Sequence, residues 1–91
     1  MKLPDIHDFS TTALYQQATQ ILHSSQTFSI EEEALNEFAG LFQTEKELLQ
    51  IRLQLDDDLI IQSILSSASD EWIRPYVFAV LIAADAMRGY G

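Results

Sequence analysis

The chain contains no cysteine. That absence removes disulfide frameworks, thiolate zinc sites, iron–sulfur ligation and cysteine nucleophiles in one step. It fits a reducing cytoplasm, which is the expected location. Histidine is nearly absent as well. His7 and His23 are the only two, and their spacing matches no metal-binding motif. No metal and no cofactor are therefore expected. Long apolar runs are missing too. The longest, Val77 to Ala84, has eight residues, whereas a membrane span needs about 20. The start, Met1-Lys2-Leu3-Pro4-Asp5, carries one base and no apolar stretch behind it, so no signal peptide is expected. There is no GxSxG elbow, Walker loop or GxGxxG turn, and an enzyme is not expected.

Basic residues are the last scarcity. Five Lys and Arg stand against fourteen Asp and Glu, a formal net charge of −9. Nucleic-acid binding depends on Lys and Arg neutralising phosphates, so direct binding is not expected. An anionic membrane surface is disfavoured for the same reason. The natural complement is a protein with a basic surface, including one that itself binds nucleic acid.

Ninety-one residues, 47% of them hydrophobic, make one domain over 1–91, with an N-terminal arm over 1–9. Leu14, Ala18, Ile21 and Leu22 give an amphipathic stripe that predicts a helix over 11–24. Ser29 and Glu32 form a capping box, with Phe28 as a staple. Ile30, Ala34, Phe38, Leu41 and Phe42 then follow at helical spacing, predicting a helix over 30–43. Gly40 within it marks a bend or a close approach. Thr44 and Glu47 form a second capping box, which predicts a third helix over 45–55.

The pattern there is divided. Leu49, Ile51, Leu53 and Leu55 alternate with Gln50, Arg52 and Gln54, a strand period. The residue types favour helix, so a hairpin of 48–55 and 59–65 around Asp56–Asp58 is kept as the alternative. Ile60, Ile61, Ile64, Leu65 and Ala68 predict a fourth helix. A last one over 75–88 begins at Pro75 and is apolar on nearly all sides. The expected fold is thus all-α: a compact bundle of about five short helices around a central apolar C-terminal helix. The alternative is α+β with a hairpin at 48–65.

Three features invite a chemical reading. Asp56-Asp57-Asp58 lacks the glycine and distal glutamate of a calcium loop, so it reads as a cap or a partner-binding edge. Asp85, inside the apolar helix, needs a counter-charge, with Arg88 and Arg74 as candidates. The acidic middle is the strongest. Glu31, Glu32, Glu33, Glu37, Glu45, Glu47, Asp56, Asp57 and Asp58 face only Lys46 and Arg52, so 29–58 carries −7 of the −9.

Apolar anchors among these acids, including Phe38, Phe42, Leu49 and Leu53, would suit a protein interface. The expected function is a non-enzymatic acidic binding module. An inhibitor, immunity or antitoxin-type factor, or a nucleic-acid mimic, shares this profile. The alternative is a structural or adaptor subunit that forms homodimers or assembles through the C-terminal helix, with Trp72, Tyr76 and Phe78 at the interface.

Overall fold

Leu49, Ile51, Leu53 and Leu55 are buried, and every residue between them is exposed. This alternation belongs to a strand with one face on a core. It overturns the expected helix over 45–55. A computed structural model describes residues 13–89. The elements run α1 (Ala13–Leu22), β1 (Thr27–Ala34), β2 (Glu37–Gln43), β3 (Leu48–Leu55), β4 (Ile61–Ser66) and α2 (Arg74–Gly89), with a 3-10 turn at Glu71–Ile73 leading into α2. The four strands form one antiparallel sheet in the order β1-β2-β3-β4. The protein is α+β, and the all-α bundle of five helices is contradicted. The expected first and last helices are present as α1 and α2. The three expected between them are strands. The hairpin kept as the alternative at 48–65 is formed by β3 and β4. The arm expected over 1–9 lies outside the described residues.

Register sorts the side chains onto two faces. Phe38 lies opposite Leu53, Gly40 opposite Ile51 and Phe42 opposite Leu49. These residues are buried, together with Val77, Phe78, Val80, Leu81 and Ala84 of α2. α2 covers the sheet's inner face, and α1 packs along α2 with Ala18 fully buried. The all-round apolar character of α2 follows from this position. Phe78, expected at an interface between copies, is 2% exposed and part of this chain's own core.

The second of the two signals read as capping boxes is a real hydrogen-bonding device that closes a hairpin instead. Thr44 Oγ1 accepts the backbone N–H groups of Lys46 at 3.1 Å and Glu47 at 3.0 Å, and donates to the Glu47 carbonyl at 2.6 Å. A hydroxyl accepting from residues two and three ahead serves a turn as well as a helix start. Ser29 is paired opposite Leu41 within the sheet. The β1–β2 connection, Leu35-Asn36, needs a left-handed residue, and Asn36 has φ 61°. Asparagine tolerates that conformation better than residues with larger side chains. Asn36→Gly should be neutral or stabilising and Asn36→Ala should cost about 1 kcal/mol, as thermal unfolding will measure.

Candidate functional site

The other face of the sheet is uncovered among the described residues. Alternation places Glu37, Ala39 and Leu41 of β2 there, beside Gln54, Arg52 and Gln50 of β3. Leu65 of β4 lies opposite Arg52, and Ser29 and Glu31 of β1 lie opposite Leu41 and Ala39. This face holds a shallow hollow of about 610 Å³. Its apolar floor is Ala39 and Leu41, with Leu65 at one side; Glu31 and Glu33 line the opposite side.

Arg52 organises the acids. Its guanidinium lies 2.7 Å from Glu33 and 3.4 Å from Glu37. A β-bulge permits the closer contact: the register shifts between Glu32 and Ala34, so Glu33 is re-aimed. All three side chains remain substantially exposed, so their pairing contributes little stability. Glu31 has no ion pair among the described residues.

The nine acids expected to bind a partner are not brought together. Glu31, Glu33 and Glu37 share the open face. Glu32 lies opposite Phe38 and so points to the inner side, exposed at the sheet edge. Glu45 and Glu47 stand in the β2–β3 turn at one end of the strands. Asp56, Asp57 and Asp58 stand in the β3–β4 turn at the other.

Asp56 is structural: its Oδ1 accepts the N–H groups of Asp58 at 2.8 Å and Ile60 at 3.0 Å. Asp57 accepts from Asn36 Nδ2 at 3.2 Å. Arg88 donates to the Asp56 and Asp57 carbonyls at 3.1 and 3.2 Å, tying the end of α2 to this turn. Arg88 is therefore engaged away from Asp85, which is exposed, and Arg74 pairs with Glu71 at 3.6 Å. The expected anchors Phe38, Phe42, Leu49 and Leu53 are fully buried on the inner face. The apolar neighbours of the carboxylates are instead Ala39, Leu41 and Leu65, whose side chains the helical reading did not place beside them.

A second concavity of about 520 Å³ lies between α1, the β2–β3 turn and the start of α2. Trp72 and Tyr76 line it. The Tyr76 hydroxyl donates to Gln26 Oε1 at 2.6 Å, and its ring packs edge-on against Phe42 and Trp72. Lys46 Nζ sits 5.6 Å from the Trp72 ring centroid, a cation–π distance. Burial, and then the Glu45 charge, hold the Tyr76 phenol above its usual pKa. These internal contacts engage Trp72 and Tyr76, two of the three aromatic side chains expected at an interface between copies. His23 lines an open depression on α1 with Tyr15 and Gln16.

Among the described residues no cluster of three or more His, Asp or Glu side chains is placed to hold a metal ion. No helix among them is long and apolar enough to cross a membrane. No protein-family model matches the chain, and no curated protein and no solved structure shows significant similarity to it.

Proposed function

We propose that this chain is a non-enzymatic protein-binding module that takes a basic segment of a partner protein into the hollow on the open face of its sheet, as an inhibitor or immunity-type factor would. One observation carries the reading: apolar Ala39, Leu41 and Leu65 lie beside Glu31, Glu33 and Glu37 on a single face that is uncovered among the described residues. The two parts have different uses. Carboxylates at the rim speed encounter and select a basic partner, and the apolar floor slows dissociation. Arg52 supports the reading, because Glu33 and Glu37 already hold a guanidinium there. Among the described residues, three carboxylates against one guanidinium leave this face negative, and Glu31, without an ion pair among them, is placed to take an incoming Lys or Arg.

A dye-labelled peptide of alternating lysine and leucine is a suitable probe, read by fluorescence anisotropy. Glu31→Lys with Glu33→Lys should weaken its binding by about tenfold or more and flatten its salt dependence. Glu45→Lys with Glu47→Lys makes the same charge change at one end of the strands and should alter binding by no more than about twofold. Equal losses from the two pairs would mean that only bulk charge attracts the peptide, and the hollow would be discarded as its site.

A further inference from the structure

The two edges of the sheet are built differently. β1 exposes Glu31, Glu32 and Glu33, and its register shifts twice along its length. Charges and bulges on an edge strand prevent another strand from adding to it. β4 has neither protection over most of its length. It is the one strand of the four without a charged residue, and the run 59–69 around it is uncharged as well. Its irregularity, between Gln54 and Leu55 of the partner strand, falls at its beginning. From Ser63 to Ser66 its pairing with β3 is regular, and the Ser67 N–H extends the ladder by donating to the Gln50 carbonyl at 3.0 Å.

In an antiparallel ladder alternate residues turn their N–H and C=O groups to opposite sides. Because Ser67 bonds inward to β3, Ser66 and Ile64 present theirs outward. These outward groups have no backbone partner among the described residues. Leu65, between them, is 67% exposed.

We propose that β4 pairs antiparallel with β4 of a second copy of this chain, joining two four-stranded sheets into one of eight strands. Charge selects this occupant. Two chains of −9 repel one another, so they can meet closely only along an acid-free seam, and 59–69 supplies one on an edge with unused hydrogen-bonding groups. A basic segment has no carboxylate to meet on β4 and is drawn to the β1 side. A two-fold axis across the strand makes the pairing self-complementary. It buries Leu65 and brings the two open-face hollows together at the seam, since Leu65, Ser66 and Ser67 line each hollow on the β4 side. The seam shares Leu65 with the peptide site, but the proposal rests on the outward backbone groups of β4 and stands whether or not a basic peptide binds the hollow.

Analytical ultracentrifugation of the full chain over about a hundredfold range of concentration tests it. The wild type should pass from monomer to dimer. Added salt should tighten the dimer by screening the −9 charges, the opposite of its effect on a basic peptide. Leu65→Lys places like charges near the seam and should weaken the dimer by about tenfold or more. Ser63→Lys, on the same exposed side, should do likewise and decides the matter if the first variant melts early. A wild type that stays monomeric throughout, or a dimer unaffected by whichever of these variants is folded, overturns the proposal.

Discussion

Gly40→Ala should destabilise the protein by about 1–3 kcal/mol, although alanine is the smallest possible addition. A Cβ at Gly40 would lie 2.6 Å from Val80 Cγ2 and 2.8 Å from Phe42 Cε2. Both distances are well inside van der Waals contact. Val80 is β-branched and sits in a helix, where its χ1 is nearly fixed, so it cannot swing away. Phe42 is fully buried. Relief has to come from moving α2 off the sheet, which opens gaps along the layer of Val77, Val80, Leu81 and Ala84.

A double-mutant cycle separates this clash from any general dislike of alanine at the position. In a Val80→Ala background the added methyl finds room, and Gly40→Ala should cost less than in the wild type. Denaturant unfolding measures all four states. Equal costs in both backgrounds would mean that Val80 is not what Gly40 makes room for.

The second large effect is expected within the aspartate triplet, where three identical residues have unequal work. Asp56→Ala removes the acceptor of two backbone N–H groups, and also a 3.2 Å contact from Gln62 Nε2. The turn it holds includes Leu59 at φ 64°, a conformation that costs a leucine about 1–2 kcal/mol. Losing the carboxylate should therefore cost about 2–3 kcal/mol. Asp56→Asn keeps one acceptor oxygen and should fall between alanine and wild type. Asp58→Ala, whose side chain makes no hydrogen bond among the described residues, should stay within about 0.5 kcal/mol. Similar losses at positions 56 and 58 would mean that the turn is held by its backbone alone.

The strands that were read as helices show how two periods can coincide. Phe38 and Phe42 are spaced by four, which is close to one helical turn and is also even. Such positions share a face in a helix and in a strand. What differs is the position between them. Gly40 lies with Phe38 and Phe42 on the inner face, and a buried glycine at that spacing was the strand signal. Asn36 marked the turn.

β4 misled by another route. Its pairing sets Ile61 opposite Leu55 and Ile64 opposite Leu53, so both face the core although they are three apart. The additional residue beside Gln62 creates a helical interval within a strand. In β3 the alternation was visible, and the helix-forming residue types outweighed it. Burying one complete face against α2 contributes more than those local preferences. α1 and α2 were legible because each has a helical stripe without a competing period.

The open face was only partly legible. The acids stood out in the composition, but which of them share a surface depends on strand pairing. Glu31 meets Ala39, Ala39 meets Arg52 and Arg52 meets Leu65 only once three antiparallel registers are known. Without that pairing Phe38 and Phe42 resembled surface anchors, and Arg52 was merely one of two bases opposing nine acids. The pairing also shows how the acids are spent. Asp56 shapes a turn, Glu33 and Glu37 steady Arg52, and Glu31, on the hollow's rim, has no ion pair among the described residues.

Amide chemical-shift mapping tests the central claim most directly. The isotope-labelled full chain is titrated with the lysine–leucine peptide, and the perturbed backbone amides are assigned. Shifts concentrated at Glu31, Ala39, Leu41, Arg52 and Leu65, with the β2–β3 and β3–β4 turns little changed, are the expected result. Shifts centred on Glu45–Glu47, on Asp56–Asp58 or on the helices would contradict it.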